Sequence, residues 1–311
     1  MPHAVETTGL THRYGSILAV DQVSMVVPKG CVYGFLGPNG AGKTTTLRLL
    51  LGLITLRDGT IHLLGEPLTA ASRAALMRRV GALIEEPSVY RNLTGVENLE
   101  ATRVLRGLPR AAVGRVLDRV GLSDADARRR VGGYSQGMRQ RLGLALALLA
   151  EPALLILDEP ANGLDPDGIQ TLRDVLARLH QEGETTVLVS SHQLGEVERV
   201  ATHIGVMRSG KLVRQGPMRD LLQHAEGSTH IRLSDPAAAA TALASAGTTA
   251  RVHEGRVMLE TTSDAGIAAA IRVVVEAGLD VFAVDTEAPS LEAFFFASDA
   301  DAGVTHTAEA S

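Results

Sequence analysis

Three short runs of mostly apolar residues mark the first two thirds of the chain. They read CVYGFL at 31–36, ALLIL at 153–157 and TTVLVSS at 185–191. Runs of this length without polar alternation are typical of strands that are covered on both faces, as in a parallel sheet. Each run ends at or just before glycine, acidic or histidine residues, and the carboxyl ends of parallel strands meet at one edge of a sheet. The pattern therefore predicts an α/β core with polar chemistry along one sheet edge.

A helical period is found between the first and second of these runs. Residues 92–150 are predicted to be mostly helical, and the stretch GGYSQGMRQRLGLALALL at 132–149 has the clearest spacing. Its apolar face is predicted to carry Met138, Leu142, Ala145 and Leu149. Free N–H groups and the helix dipole favour an anion at the start of such a helix. The candidate residues there are Ser135, Gln136 and Gly137.

The pattern changes from Ser228 onwards. HIRL and LDVFAVDT read as strands, DPAAAATALASAG and DAGIAAAIRVVVEAG as helices, and TARVHEGRVMLETT as a hairpin between the helices. The order βαββαβ suits a small ferredoxin-like module. PSLEAFFF, at 289–296, predicts a further short helix, and the end of the chain is expected to be disordered.

Charge supports a boundary just before this change. Residues 225–311 carry 13 acidic residues, four Arg and no Lys, whereas residues 1–224 carry 26 basic and 22 acidic residues. We therefore predict a large domain at 1–224, a small α+β accessory domain at 225–297 and a disordered tail at 298–311.

Composition narrows the classes of function. The net charge of −5 gives no reason to expect a nucleic acid partner, and the RRR at 128–130 fits a solvated face. Cys31 is the one cysteine, so an internal disulfide is excluded and a small buried hydrophobe is expected. The first residues lack the basic start and apolar core of a secretory signal. Glu151 and Pro152 interrupt the longest apolar stretch, so we expect a soluble chain.

The residues after the first run match a phosphate-binding loop. The pattern G-x-x-x-x-G-K-[ST] stands between a predicted strand and a predicted helix, which is the context it requires. Its glycines let backbone N–H groups turn towards phosphate oxygens. Lys43 is suited to the outer phosphates, Thr44 to Mg²⁺ and Thr45 to a phosphate nearer the ribose. The candidate residues are Gly37, Pro38, Asn39, Gly40, Ala41, Gly42, Lys43, Thr44 and Thr45.

The ends of the other two runs supply the rest of the candidate site. Asp158 is suited to hold Mg²⁺ directly or through water. Glu159 is suited to orient and polarise the water that attacks a γ-phosphate. His192 can donate a hydrogen bond to the γ-phosphate. An acid pair after a strand also suits a helix N-cap, and the phosphate-binding loop is what favours the catalytic interpretation.

Together these motifs resemble the ATP-binding-cassette (ABC) ATPases over residues 5–214. GPNGAGKTT is similar to the family's Walker A motif and LLILDEP to its Walker B motif. YSQGM, at 134–138, is similar to the ABC signature, with Gln136 where the family usually has Gly.

Three smaller matches extend the resemblance. GLD, which ends at Asp165, is similar to the D-loop, and His192 to the switch histidine. Tyr14 stands where the family stacks an aromatic ring on adenine. The resemblance implies a fold with a mainly parallel sheet core, an antiparallel β-subdomain and a helical signature subdomain.

The resemblance also implies a mechanism. Two cassettes would close head to tail on two ATP molecules, with Mg²⁺ as cofactor. Ser135 and Gly137 of one cassette would contact the γ-phosphate that the other holds, and Asp165 would link the two sites. Gln136, between them, is a further candidate for binding the nucleotide. The homodimer would act under a separate transmembrane permease, as a cytoplasmic protein on the inner face of the cell membrane.

The stretch GALIEEP at 81–87 departs from the family pattern. Aligned from Val80, the position of a family Gln that meets Mg²⁺ and water falls on Glu85. A Glu binds a hard cation through oxygen, but when ionised it cannot donate the N–H bonds of an amide. Glu85 is therefore a candidate metal-proximal and coupling residue, the alternative being a merely exposed charge. This Glu and the signature resemble the ATPases of bacitracin-resistance and lantibiotic-immunity exporters.

The sequence leaves several functions open. The first hypothesis is the ATPase subunit of an exporter for antibiotics or peptides. Alternatives within the family are export of a lipid or polysaccharide and a soluble ABC protein of translation or repair. Soluble ABC proteins usually have two cassettes or long coiled-coil insertions, and neither occurs in this sequence. The Asp158–Glu159 pair and YSQGM argue against a P-loop kinase, and an intact Glu159 and His192 argue against an inert regulatory binder.

Overall fold

The computed structural model describes residues 3–85, 87–193, 195, 198–223, 228–253, 255–259 and 263–287. The strands are β1 His3–Tyr14, β2 Ile17–Val23, β3 Val26–Pro28, β4 Val32–Leu36, β5 Asp58–Leu63, β6 Glu66–Pro67, β7 Val80–Leu83, β8 Leu154–Asp158, β9 Thr186–Ser191, β10 His203–Arg208, β11 Lys211–Pro217, β12 Ser228–Leu233, β13 Ala250–His253, β14 Arg256–Leu259 and β15 Val281–Glu287. The helices are α1 Lys43–Leu50, α2 Arg73–Arg78, α3 Gly95–Arg106, α4 Ala111–Val120, α5 Asp124–Ala127, α6 Gln136–Leu148, α7 Pro166–Glu182, α8 Met218–Gln223, α9 Pro236–Ser245 and α10 Asp264–Glu276. The predicted helix at 289–296 and the predicted tail at 298–311 lie outside the described residues.

Contacts divide the chain into two compact units, one up to Met218 and the other from Arg219 onwards. The boundary that we predict from charge, between residues 224 and 225, lies among residues 224–227, which are not described.

The core of the first unit is a mainly parallel sheet in the order β11-β10-β4-β9-β8-β7. Strands β10, β4, β9, β8 and β7 run parallel, and β11 pairs with β10 antiparallel at one edge. Every residue of β4, β8 and β9 is buried, as expected for apolar runs covered on both faces. The three runs are thus adjacent strands, so their carboxyl ends lie side by side.

A second, antiparallel sheet in the same unit has the order β2-β1-β5-β6, with β3 also paired to β1. Burial alternates along much of β1, which is the period of a strand with one face on a core. This is the antiparallel β-subdomain that the resemblance implies.

Helices α3, α4, α5 and α6 form the helical part of the unit. Thr94 and Glu97 form a capping box at the start of α3, with Oγ1 of Thr94 accepting from the Glu97 N–H at 3.1 Å. The backbone and side-chain hydrogen bonds from Thr94 lower the pKa of the Glu97 carboxyl. Apolar faces of α4 and α6 pack into one core with β8, through residues such as Val116, Leu142 and Leu155.

The second unit has the predicted order βαββαβ, from β12 to β15. Its sheet has the order β13-β14-β12-β15 with every pair antiparallel, which is the arrangement of a ferredoxin-like module. Oδ1 of Asp235 accepts from the N–H groups of Ala237 and Ala238 at 3.1 Å and so starts α9, with Pro236 in the first turn. The sheet and both helices share a small core that includes Ile231, Leu243 and Val274.

Two expectations from composition can be compared with the structure. Cys31 is 4% exposed, which confirms that it is a buried hydrophobe. Within the described ranges, none of the helices combines the length and the apolar character needed to cross a bilayer.

Candidate nucleotide-binding site

The phosphate-binding loop connects β4 to α1 and requires glycine for steric reasons. A Cβ on Gly42, whose φ is 101°, would lie 2.3 Å from the carbonyl oxygen of Ala19. A Cβ on Gly37 would lie 2.3 Å from the carbonyl oxygen of Met207. The loop is therefore packed against backbone on two sides and cannot accept a larger residue without moving it. Residues 38–40 at its tip are exposed, whereas Ala41 is buried.

Lys43, at the start of α1, lies with its ammonium group under this loop. Its side chain is 5% exposed, and Nζ donates to the carbonyl oxygens of Gly37 at 2.6 Å and Pro38 at 3.3 Å. Nζ also lies 3.2 Å from Oε1 of Glu159, so the buried cation faces an acid. The two residues after it, Thr44 and Thr45, are half-buried in the first turn of α1.

Asp158, at the end of β8, is buried and hydrogen-bonded on both carboxylate oxygens. Oγ1 of Thr44 donates to Oδ2 at 2.8 Å, and Oγ of Ser190 donates to Oδ1 at 2.6 Å. The same Ser190 oxygen accepts the backbone N–H of Glu159 at 2.9 Å. These two hydroxyl donors fix the orientation of the buried carboxylate.

Glu159 lies between Lys43 and His192. Its Oε2 atom lies 2.7 Å from Nδ1 of His192 and accepts the backbone N–H of His192 at 3.3 Å. Glu159 has a φ of 48°, in the left-handed region that side chains other than glycine rarely adopt. The ends of β8 and β9 thus bring the two predicted catalytic residues into contact with each other, and Glu159 also contacts the lysine of the phosphate-binding loop.

Glu85 follows β7 and borders the same region. It has a φ of 60°, and its side chain is 60% exposed. Its Oε1 atom forms an ion pair with Nη2 of Arg48, on α1. A cavity of about 550 Å³ has Glu85 in its wall, and its polar lining includes Thr44, Glu85, Arg91, Gln136, Arg139, Gln140, Asp158, Glu159 and Asn162. All three predicted metal-proximal residues therefore line one cavity.

The predicted signature residues lie at the N-terminus of α6. Ser135 is the N-cap, and its Oγ accepts the N–H of Met138 at 3.2 Å. Nε2 of Gln136 donates to the carbonyl oxygen of Asn162 at 3.4 Å, while Gly137 is half-buried. Tyr134 anchors this end of the helix, because its buried hydroxyl donates to the carbonyl oxygen of Asp126 at 2.8 Å, and burial raises its pKa.

Some predicted residues do not line this cavity. Tyr14 ends β1, is 44% exposed and meets the ring of His12 edge-on, with centroids 4.7 Å apart. Asp165 is the N-cap of α7, where its Oδ1 atom accepts the N–H of Gly168 at 2.9 Å. Ser135, Gly137 and His192 are likewise absent from the lining.

Three residues of this region were not predicted from the sequence. Ser190 fixes Asp158 and the Glu159 backbone, Arg48 pairs with Glu85, and Nε2 of Gln140 donates to the carbonyl oxygen of Pro160 at 3.0 Å. Ser190 could have been predicted, because two serines end the buried strand β9 beside the other polar strand ends. Arg48 and Gln140 contact residues that are distant in sequence, so no local pattern predicts their roles.

Comparison with known proteins agrees with these observations. A family model described as "ABC transporter" matches residues 20–162. The chain is 44% identical to the bacitracin transport ATP-binding protein BcrA of Enterococcus faecalis over 246 residues, 79% of each chain. It is 41% identical to the lantibiotic transport ATP-binding protein SrtF of Streptococcus pyogenes over 204 residues, 66% of this chain and 86% of that one.

Among solved structures, the fold matches a dimeric post-hydrolysis state of the ATP-binding cassette MJ0796 bound to ADP and Pi. The TM-score is 0.63 at 22% identity, covering 69% of this chain and 99% of the other. This likeness establishes the cassette fold, and the relatives establish the family. The chain belongs to the ABC transporter family as an ATP-binding subunit, and its cassette is an ATPase.

Proposed function

We propose that this ATPase drives an exporter of antibiotics or peptides, as a homodimer of cassettes bound to a separate transmembrane permease. The observation that carries the catalytic part is the carboxylate of Glu159, held between Lys43 and His192 beside a buried Asp158. The names of the relatives, which concern bacitracin and lantibiotic transport, support the substrate class.

In this proposal the residues of the β4–α1 loop, from Gly37 to Thr45, hold the ATP phosphates. Lys43 exchanges its contact with Glu159 for the outer phosphates, which frees the carboxylate. Glu159 then orients the attacking water and accepts its proton. His192 holds the carboxylate in place from the other side and donates to the γ-phosphate.

The residues around Asp158 fit a magnesium ion. Mg²⁺ prefers oxygen ligands and is usually held by one or two carboxylates together with substrate phosphates. The Thr44 hydroxyl and the Asp158 carboxylate, 2.8 Å apart, supply such oxygens at the cavity wall, and Glu85 borders the same cavity. Among the described residues no group of three or more His, Cys, Asp or Glu forms a self-sufficient metal cage, which agrees with an ion that needs the nucleotide as a ligand. Bound there, Mg²⁺ would offset the phosphate charge.

The remaining candidates fit a site completed by a second cassette. The N-terminus of α6 exposes Ser135 and Gln136, so its free N–H groups are available to a γ-phosphate held by a second copy. We assign Gly137 to close approach of that phosphate and Asp165 to the link between the two sites. The exposed ring of Tyr14 is assigned to stacking on adenine.

We place the protein in the cytoplasm, against the inner face of the membrane, because a permease must supply the spanning segments. The test is affinity purification of the tagged chain from detergent-solubilised native membranes, with ATP and without it. A multi-spanning membrane protein in stoichiometric amount is the expected partner. Co-purifying ribosomes or repair factors, with ATP hydrolysis intact, would replace the exporter by a soluble ABC function. A permease for a lipid or polysaccharide would overturn the substrate class alone.

A further inference from the structure

The segment 160–164 follows Glu159 and leads into α7. It contains two short turns, in which backbone N–H groups of the segment donate to the carbonyl oxygens of Glu159 and Ala161 at 3.1 Å. The carbonyl oxygens of Pro160 and Asn162 alternate with these two and accept from side chains of α6 instead. The segment is therefore tied both to itself and to the helix that carries the signature residues.

Two glutamines of α6 donate to the alternate oxygens. Nε2 of Gln140 lies 3.0 Å from the carbonyl oxygen of Pro160, and Nε2 of Gln136 lies 3.4 Å from that of Asn162. Residues four positions apart lie on the same face of a helix, one turn from each other. The two side chains therefore follow the segment along the start of α6.

The side chain of Gln136 lies directly over Gly163. A Cβ on Gly163 would lie 2.0 Å from Nε2 of Gln136 and 2.6 Å from its Cδ atom. The φ of Gly163 is 73°, in the left-handed region that glycine adopts readily. Gln136 stands where the ABC signature usually has Gly, so its side chain makes a contact that the usual residue cannot make.

We propose that Gln136 is a positioning residue that fixes the segment 160–164 to the first turn of α6. The segment leads to Asp165, which we assign to the link between two nucleotide sites, and Ser135 and Gly137 flank Gln136 on the helix. Gln136 therefore holds in one fixed arrangement the two surfaces that we assign to a second cassette. A surface that is already ordered loses less conformational freedom when it binds. The role depends on the proposed homodimer, which gives this arrangement its effect.

Amide hydrogen exchange in the full-length chain without nucleotide measures the positioning by itself. Gln136→Met keeps the length of the side chain and removes its N–H donor. The amides of Asn162 and Leu164, which donate in the two turns, should then exchange about fivefold faster, the scale of one lost hydrogen bond. Gln170→Met is the matched control, because Nε2 of Gln170 donates at 2.9 Å within α7, to Asp174, and the segment should keep its protection. Unchanged exchange in Gln136→Met would overturn the proposal.

A double-mutant cycle tests whether Gln136 acts through the segment. The Cβ of Gly163→Ala would displace the amide of Gln136, so Gly163→Ala should also speed exchange in the segment. Adding Gln136→Met to Gly163→Ala should then change the exchange rate much less than Gln136→Met does alone, because residues in contact are not additive. Two effects that simply multiply would overturn the contact.

The dimer of the Glu159→Gln chain with Mg·ATP tests what the positioning is for. Gln136→Met in that chain should raise the dissociation constant of the dimer about tenfold in sedimentation, since each copy loses one ordering hydrogen bond. Gln170→Met should leave the constant unchanged. A dimer that Gln136→Met does not weaken would overturn this role alone. A Glu159→Gln chain that stays monomeric with Mg·ATP would overturn the proposed homodimer, and this role with it.

Discussion

At the scale of single residues, neighbouring side chains fix both the backbone conformation and the carboxylate of Glu159. Its left-handed backbone is fixed by the Ser190 hydroxyl, and its two carboxylate oxygens face Lys43 and His192. Non-glycine residues in rarely populated conformations persist where the surroundings over-determine them, and such positions cluster at functional sites. The conformation of Glu159 is therefore part of the case for its catalytic role.

Glu159→Gln is expected to lower the steady-state rate of ATP hydrolysis by about a hundredfold or more, because the amide cannot take the proton of the attacking water. ATP binding should persist, since the phosphate-binding loop is untouched. Phosphate release and equilibrium nucleotide binding measure the two effects separately. Glu151→Gln is the matched control, an exposed glutamate with a similar φ of 49°. A Glu159→Gln rate close to that of the unchanged protein would contradict the assignment.

Glu85→Gln separates a metal-proximal residue from a surface charge. The Glu85–Arg48 pair is largely exposed and is expected to contribute less than about 1 kcal/mol to the free energy of unfolding. The urea midpoint should therefore hardly move, whereas the Mg²⁺ concentration for half-maximal ATP turnover should shift. Glu66→Gln is the control, because Oε1 of Glu66 pairs with Arg79 at 3.0 Å and Glu66 does not line the cavity. If Glu85→Gln changes neither the Mg²⁺ dependence of ATP turnover nor its coupling to a permease, Glu85 is only an exposed charge.

Cys31 should not react in the folded protein. Burial raises the pKa of its thiol to about 12, so the reactive thiolate is scarcely populated at pH 8. Labelling by a disulfide reagent at pH 8 should be slow until the protein is unfolded in denaturant, and should then reach one thiol per chain. Fast stoichiometric labelling of the native protein would show that the site is open.

At the scale of elements, motifs that lie within a short stretch of sequence could be predicted, whereas contacts between residues distant in sequence could not. The loop after β4, the acids after β8 and the cap of α6 each follow from a short stretch of residues. The contacts that assemble them join distant positions, such as Ser190 with Asp158 and Arg48 with Glu85. The accessory module was predictable because its strands and helices alternate with clear turns, as at Gly247 and Gly255, where φ is positive.

The packing of β7 against α6 gives a test at this scale. A Cβ on Gly81 would lie 2.2 Å from the carbonyl oxygen of Ala147, which is backbone and cannot rotate away. Gly81→Ala should destabilise the cassette by about 1–3 kcal/mol in urea unfolding. Gly114→Ala is the control, because a Cβ in that helix meets nothing within 4 Å and should stabilise by up to about 1 kcal/mol. Equal urea midpoints for the two variants would show that β7 and α6 pack less tightly than the 2.2 Å approach at Gly81 indicates.

At the scale of the whole molecule, one chain brings together only part of the predicted site. Thr44, Glu85, Gln136, Asp158 and Glu159 line one cavity, whereas other predicted site residues lie outside its lining, among them Lys43, Ser135, Gly137, Asp165 and His192. Our proposal assigns Ser135, Gly137 and Asp165 to a site that a second cassette completes. The signature motif could be predicted from the sequence. Its action on the nucleotide of a second copy is inferred from the family resemblance, because one chain by itself does not show the interface between two copies.

The most direct test of a nucleotide site shared by two cassettes is the sedimentation mass of the Glu159→Gln chain, without nucleotide, with Mg·ADP and with Mg·ATP. We expect a dimer with Mg·ATP and a monomer in the other two conditions, because slow hydrolysis traps the closed pair. Asp165→Ala and Ser135→Ala should weaken that dimer, whereas Glu151→Gln should not. A chain that stays monomeric with Mg·ATP bound, or that is equally dimeric with Mg·ADP, would contradict a nucleotide site completed by a second copy.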